Sequence, residues 1–182
     1  MLQRKICLLG APGVGKRSLL STCAHTTFSA NYVATIGAQI SKRTVSVGEQ
    51  SIEMMVWDIA YYEGFEKVAM NSLRGMSGYL LVADGTRPST LERAGRIYEQ
   101  VYSFEQPPPT APNPSVPYVQ FPYREIPFLL LLNKSDLTDQ WRFTDSDIQK
   151  LTSKGWPVLK SSAKDNWGVE EAFLTLGQKI LS

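Results

Sequence analysis

Apolar runs of strand length alternate along the chain with segments of helical periodicity. The runs at residues 78–84 and 127–132 are apolar almost throughout, as expected of strands that are buried on both faces. Further strands are predicted at residues 4–9, 39–47, 51–57 and 157–159, and helices at residues 15–23, 89–104, 168–180 and from about residue 144. The alternation predicts an α/β domain in which helices wrap a mostly parallel sheet.

Length, charge and cysteine content narrow the class of protein. The chain has 182 residues, which suits one domain, and a formal net charge of +2, which is too small to indicate nucleic-acid binding. No apolar run approaches the ~20 residues of a membrane-spanning helix, and the amino terminus lacks the features of a secretory signal. Cys7 and Cys23 are too few for a disulfide framework and favour buried, reduced thiols. We therefore expect a cytoplasmic protein without a membrane span.

One segment interrupts the pattern. Residues 105–124 (EQPPPTAPNPSVPYVQFPYR) contain seven of the eleven prolines, which excludes a helix interior or a central strand. Because the segment lies between a predicted helix and a predicted strand, we interpret it as a loop insertion within one domain spanning residues 1–182. The simpler interpretation is a solvated, partly extended loop. The alternative is a polyproline II segment, with Pro109 and Pro112 at PxxP spacing, that docks an SH3- or WW-type partner.

A glycine-rich segment, GAPGVGK at residues 10–16, joins the first predicted strand to the first predicted helix. In this context G-x-x-x-x-G-K is the pattern of a loop whose backbone N–H groups turn toward phosphate oxygens. The helix N-terminus adds a favourable dipole, and Lys16 adds a positive charge for the outer phosphates. Residues 10–18, here called the phosphate loop, therefore predict nucleotide binding.

Two later motifs identify the base. Residues 133–136 (NKSD), here called the base-reading loop, follow a buried strand, and Asp136 can accept two hydrogen bonds from the N1–H and 2-amino edge of guanine. Adenine lacks this pair of donors and would leave the carboxylate unpaired. Residues 162–164 (SAK), here called the SAK loop, follow the last strand, where a backbone N–H can meet guanine O6. Guanine is therefore the predicted base.

The order and spacing of the three loops resemble those of the small GTPase superfamily. The resemblance extends over nearly the whole chain and is greatest to the Ras and Rab branches. The resemblance implies a P-loop G domain with a six-stranded, mostly parallel sheet, one antiparallel strand and helices on both faces. It implies GTP or GDP and Mg²⁺ as cofactors, and catalytic roles at the positions of Lys16, Thr35 and Tyr62. It assigns nucleotide binding to Gly13, Val14, Gly15, Lys16, Arg17, Ser18, Phe28, Thr35, Asn133, Lys134, Asp136, Ser162, Ala163 and Lys164, and Mg²⁺ binding to Thr35 and Asp58.

Three positions depart from the superfamily pattern. Arg17 stands where a serine or threonine hydroxyl normally binds Mg²⁺, so we expect weakened metal binding. Its guanidinium either bridges phosphate oxygens in place of the metal or extends into solvent. Tyr61 replaces a glycine that approaches the γ-phosphate, and Tyr62 replaces the glutamine that orients the attacking water. We therefore expect severely reduced intrinsic GTP hydrolysis.

The sequence thus predicts a guanine-nucleotide-binding switch in signalling or vesicle trafficking, with very slow or partner-dependent hydrolysis. The alternative is a pseudo-GTPase scaffold that binds nucleotide without a hydrolytic cycle. The resemblance places switch I at residues 32–37 and the start of switch II at residues 57–58, and it implies effectors at these switch regions together with GTPase-activating and exchange factors. Ile36, Ile40 and Trp57 are candidate effector contacts, and ordinary packing in the core is the alternative for all three. The sequence ends at Ser182 without a cysteine for prenylation. Three alternatives stay open: a soluble protein, a partner that carries it to membranes, or a lipidated tail beyond the sequence given.

Overall fold

The computed structural model describes residues 2–21, 31–33, 38–59, 72–105 and 125–182. In these ranges the strands are β1 (Leu2–Gly10), β2 (Asn31–Val33), β3 (Ala38–Val47), β4 (Gln50–Ile59), β5 (Gly78–Asp84), β6 (Phe128–Asn133) and β7 (Val158–Lys160). The helices are α1 (Lys16–Ser21), α2 (Ser89–Glu105), α3 (Asp145–Ser153) and α4 (Val169–Leu181), with a 3-10 turn at Thr138–Gln140.

All the described strands belong to one sheet in the order β2-β3-β4-β1-β5-β6-β7. Strands β4, β1, β5, β6 and β7 are mutually parallel, while β3 is antiparallel to β4. The prediction of six strands with one antiparallel member is therefore confirmed. The seventh strand, β2, has only three residues and pairs with β3 at the edge of the sheet. Three residues are too few to produce an alternating pattern, so this strand was not predicted.

The strand positions follow from local sequence. Every residue of β5 and of β6 is buried, as their continuous apolar sequences predict for the middle of a sheet covered on both faces. The β3–β4 connection is a tight turn in which Val47 pairs with Gln50 and Gly48 has a φ of +58°. A left-handed conformation of this kind favours glycine, which accounts for the hairpin at this position.

Alternate residues of β1 contribute to two apolar cores, one on each face of the sheet. Ile6 and Leu8 pack on the face that α1 and α4 cover, whereas Cys7 and Leu9 pack on the face that α2 covers. Each covering helix contributes one apolar face to the core beneath it. The first core contains Phe173, Leu176 and Ile180 of α4. The second core contains Ala94, Ile97 and Val101 of α2. Helices on both faces of the sheet are thus confirmed.

The last two helices begin at well-defined caps. Thr144 caps α3 through a reciprocal pair of hydrogen bonds with Asp147, and Gly168 at φ +71° precedes α4. A Cβ at residue 168 would lie 2.6 Å from the carbonyl oxygen of Lys160, so the close approach of the chain to β7 requires glycine. These caps agree with the predicted starts near residues 144 and 168.

The remaining predictions concern the two cysteines, the proline-rich segment and a membrane span. Cys7 is fully buried as a free thiol, and burial raises its pKa to about 12, as expected of an inert structural cysteine. Cys23 and the proline-rich residues 106–124 lie outside the described residues. No helix in the described ranges combines the length and hydrophobicity needed to cross a bilayer.

Candidate nucleotide-binding site

The predicted site residues that the structure describes lie together at the carboxyl ends of the parallel strands. Because β4, β1, β5, β6 and β7 run parallel, their carboxyl ends lie side by side, which is where open α/β sheets bind ligands. The phosphate loop follows β1, the base-reading loop begins with the last residue of β6, and the SAK loop follows β7. Asp58 lies near the end of β4, opposite Leu8 of β1.

The phosphate loop has the backbone of an anion-binding loop. Gly13 and Gly15 have φ values of +73° and +99°, which alternate with Val14 in the pattern that turns successive N–H groups to one side. A Cβ on Gly15 would collide with the side-chain amide of Asn133, so no other residue fits there. Among the described residues, none accepts a hydrogen bond from the N–H groups of Gly13, Val14 or Gly15. These donors fit the oxygens of a bound phosphate.

Lys16 is held over the same loop. Its Nζ donates to the carbonyl oxygens of Gly10 at 2.8 Å and of Ala11 at 3.0 Å. An ammonium has three donors, so one remains for a phosphate oxygen. Burial lowers the pKa of Lys16, an effect that Asp58 opposes and Arg17 reinforces. Burial raises the pKa of the Asp58 carboxyl, and the positive charges of Lys16 and Arg17 partly offset this rise. The phosphate side of the site is therefore a partly buried cluster with an excess of positive charge.

Asn133 joins the three loops. Its Nδ2 donates to the carbonyl oxygen of Val14 at 2.9 Å, and its Oδ1 accepts from the backbone N–H of Ala163 at 3.0 Å. Ser161 adds a hydroxyl donor to Oδ1 at 3.3 Å. Asn133 is 1% exposed, so these bonds form away from water, where losing one is costly. One side-chain amide therefore sets the spacing between the phosphate loop and the SAK loop.

The carboxylate of Asp136 is held in one orientation by the SAK loop. Its Oδ1 accepts a hydrogen bond from Ser162 Oγ at 2.7 Å, which orients the half-buried carboxylate. In the described part of the chain, no donor contacts Oδ2. Ser162 Oγ itself accepts from the N–H of Asp165 at 3.1 Å. Ser162 therefore fixes the orientation of Asp136 and leaves the carboxylate with acceptor capacity at Oδ2.

Comparison with known proteins decides the family. The sequence model that describes the Ras family matches residues 5–182 of this chain. The chain belongs to the Ras family. The Ras-related protein RABA4b of Arabidopsis thaliana is 32% identical over 177 residues, covering 97% of this chain and 71% of that protein. The GTP-binding protein ypt1 of Schizosaccharomyces pombe is 29% identical over 180 residues, covering 97% of this chain and 79% of the yeast protein.

Proteins of the Ras family bind GTP or GDP together with Mg²⁺, and the described residues fit these two groups unequally. The phosphate and base-reading loops fit the nucleotide. The described donor set does not fit Mg²⁺ in the usual way, because a guanidinium at residue 17 has no lone pair for a metal. Asp58 supplies a carboxylate, and no cluster of three or more His, Cys, Asp or Glu side chains occurs in the described ranges.

The remaining candidate residues divide into those outside the described ranges and those whose contacts the structure describes. Phe28, Thr35, Ile36, Tyr61 and Tyr62 lie outside the described residues, so their roles stay predictions. Of the candidate effector contacts, Trp57 is half-buried against the apolar core, with the Nζ of Lys5 4.3 Å from its ring centroid. Lys164 is exposed, and its N–H donates to no described acceptor. The N–H of Ala163 is already bonded to Asn133, so it is not free to meet guanine O6 in this geometry.

Sequence reasoning missed Asp84, the last residue of β5. Its fully buried carboxylate accepts from the Thr86 N–H and hydroxyl at 2.9 and 2.7 Å through Oδ1. Its Oδ2 accepts from Arg87 Nε at 2.8 Å and Lys134 Nζ at 2.7 Å. Burial raises the pKa of this carboxyl, but the hydrogen bonds from Lys134, Thr86 and Arg87 outweigh burial and lower it to about 2. The sequence did contain one indication of this residue, because a charged side chain that ends an otherwise apolar, buried strand needs partners at the end of the sheet.

The lowered pKa of Asp84 predicts how stability changes with pH. The folded pKa of about 2 is below the ordinary value of 3.8, so the carboxylate stabilises the native state above about pH 4 by about 2 kcal/mol, and this contribution is lost as the pH falls toward 2. We expect Asp84→Asn to lower the free energy of unfolding at pH 7. The difference from wild type narrows by about 1 kcal/mol at pH 3.

Urea unfolding at the two pH values measures this difference. Asp139→Asn, at an exposed position in the 3-10 turn, is the matched control and should change stability by less than about 0.5 kcal/mol at either pH. A difference between wild type and Asp84→Asn that is the same at pH 7 and pH 3 contradicts the assignment.

Proposed function

We propose that this chain is a guanine-nucleotide-binding switch that acts in vesicle trafficking and hydrolyses GTP very slowly. The observation that carries the proposal is the convergence of three loops on Asn133, with 2.9 Å and 3.0 Å bonds to Val14 and Ala163. Membership of the Ras family and likeness to the Ras-related and GTP-binding proteins named above support it.

Binding would follow from the loop chemistry. The phosphates lie against the N–H groups of Gly13, Val14 and Gly15, with Lys16 Nζ on the outer phosphates. The base lies beside Asp136, whose carboxylate pairs with two donors of guanine. Adenine lacks these donors and would leave the carboxylate with the Ser162 hydrogen bond alone, and an acceptor that loses water without gaining a partner costs about 1–3 kcal/mol. The site therefore selects guanine over adenine.

Slow hydrolysis would follow from the side chains of Tyr61 and Tyr62. Transfer of the γ-phosphoryl group depends mainly on positioning of water and stabilisation of charge. A phenol at residue 62 lacks the paired donor and acceptor of an amide, and tyrosine at residue 61 restricts the backbone near the γ-phosphate. A partner that supplies an arginine or positions the water would restore part of the rate.

We expect single-turnover GTP hydrolysis by the purified protein to be slower than the ~10⁻⁴ s⁻¹ scale of intrinsic Ras hydrolysis. The double variant Tyr61→Gly, Tyr62→Gln restores the small hinge residue and the amide, and should raise the rate about tenfold or more. Tyr102→Gln, on the exposed part of α2, is the control and should leave the rate unchanged. A wild-type rate in the ordinary Ras range refutes slow hydrolysis.

Weakened dependence on Mg²⁺ would follow from the guanidinium of Arg17. Arg17 belongs to the phosphate loop and follows Lys16 in the first turn of α1, so its charge lies close to the phosphate side of the site. Its guanidinium is exposed and forms no hydrogen bond to any residue in the described ranges. We favour the alternative in which the guanidinium bridges phosphate oxygens when nucleotide is bound, since a planar fork suits phosphate geometry.

Bridging by Arg17 predicts nucleotide retention that resists chelation. We expect EDTA to change the dissociation rate of fluorescent GDP from wild type by less than about threefold. In Arg17→Ser, which restores a hydroxyl, EDTA should accelerate release about tenfold or more, because the metal then carries part of the binding energy. Arg17→Ala separates the two effects and should release GDP quickly with or without EDTA. Rapid release from wild type on chelation refutes bridging.

The second candidate is a pseudo-GTPase scaffold, which the combination of Arg17, Tyr61 and Tyr62 favours. Hydrogen exchange in the GDP and GTP-analogue states separates the two functions. Different exchange at residues 31–40 and 58–70 in the two states supports the switch, and identical exchange supports the scaffold. Effectors at the switch regions, regulators of the nucleotide cycle and an SH3- or WW-type partner of the proline-rich loop remain parts of the proposal, as does peripheral attachment to membranes.

A further inference from the structure

Arg87 connects the end of β5 with the phosphate loop. Its Nε donates to Asp84 Oδ2 at 2.8 Å, and its Nη2 donates to the carbonyl oxygen of Pro12 at 3.3 Å. A Cβ on Gly13 would lie 3.3 Å from the same Nη2, so the guanidinium packs directly against the loop. Arg87 therefore contacts the phosphate loop on one side and a buried carboxylate on the other.

The same carboxylate extends the connection to the base-reading loop. Asp84 Oδ2 also accepts from Lys134 Nζ at 2.7 Å, and Lys134 follows Asn133 with a φ of +69°. The two hydrogen bonds from Thr86 to Oδ1 hold the carboxylate in one orientation. A continuous path thus runs from Pro12 through Arg87 and Asp84 to Lys134.

This path is the outer of two links between the loops. Asn133 makes the inner link and is fully buried, whereas the side chain of Arg87 is 47% exposed. Two links at different depths restrict rotation of one loop against the other more than a single link can. We propose that Arg87 is a positioning residue that sets the base-reading loop against the phosphate loop and thereby contributes to selection of guanine. This inference rests on the proposed nucleotide binding.

Selection of the base depends on this placement for a geometric reason. The phosphates anchor a nucleotide in the phosphate loop, so the position of its base edge is fixed from that end. Asp136 can accept both guanine donors only when the base-reading loop lies at the matching distance, and small displacements weaken hydrogen bonds steeply. A residue that only stiffened the phosphate loop would support all purine nucleotides equally.

Equilibrium dissociation constants for GDP and IDP distinguish the two roles, because the hypoxanthine base of IDP lacks the 2-amino group. For Arg87→Gln we expect GDP affinity to fall about tenfold and IDP affinity about threefold, so that the preference for GDP falls about threefold. Arg87→Lys should recover part of the preference, since one ammonium can bind either Asp84 or Pro12. Arg96→Gln, at an exposed position on α2, is the control and should match wild type.

Equal losses for GDP and IDP in Arg87→Gln overturn the inference, as do unchanged affinities. Circular dichroism and the melting temperature with saturating GDP verify that each variant folds. Wild type reports on the proposed function separately: if it binds neither nucleotide, the function fails, whereas binding by wild type with no loss of preference in Arg87→Gln refutes only the role of Arg87.

Discussion

The side-chain amide of Asn133 is the contact on which the candidate site depends. It donates to a carbonyl of the phosphate loop and accepts from a backbone N–H of the SAK loop, so it spans three segments that are far apart in sequence. The parallel sheet makes this possible by bringing the ends of β1, β6 and β7 to one edge. Gly15 completes the contact, since only a residue without a Cβ lets the amide approach the loop. Loss of this amide would leave buried backbone groups unpaired on both sides at once.

Charge is arranged around that contact in two clusters. On the phosphate side, Lys16, Arg17 and Asp58 form a partly buried group whose excess charge is positive and suits a polyanion. On the other side, Asp84 is surrounded by donors from Thr86, Arg87 and Lys134. The first cluster departs from the family at Arg17, while the contacts that hold the loops together are complete among the described residues. The described residues therefore fit a nucleotide more fully than they fit a metal ion beside it.

Features that depend on neighbouring residues could be predicted from the sequence, whereas contacts between residues far apart in the chain could not. The continuous apolar runs of β5 and β6 and the turn at Gly48 are local, and their elements lie where predicted. The three loops were found because each has a recognisable motif beside a strand. The Arg87–Pro12 contact joins residues 75 positions apart through a carbonyl, which leaves no pattern in either segment. Likewise, the bonding of the Ala163 N–H to Asn133 depends on tertiary placement that spacing alone does not give.

The identity of the nucleotide that the purified protein carries tests the central claim most directly. Protein prepared without added nucleotide is denatured, and the released compounds are separated and identified by chromatography and mass spectrometry. Three loops joined by Asn133, with the carboxylate of Asp136 open to a base edge, predict close to one equivalent of GDP or GTP per chain. Adenine nucleotide in place of guanine nucleotide, or a chain that carries none and binds none when GDP is supplied, would contradict the account.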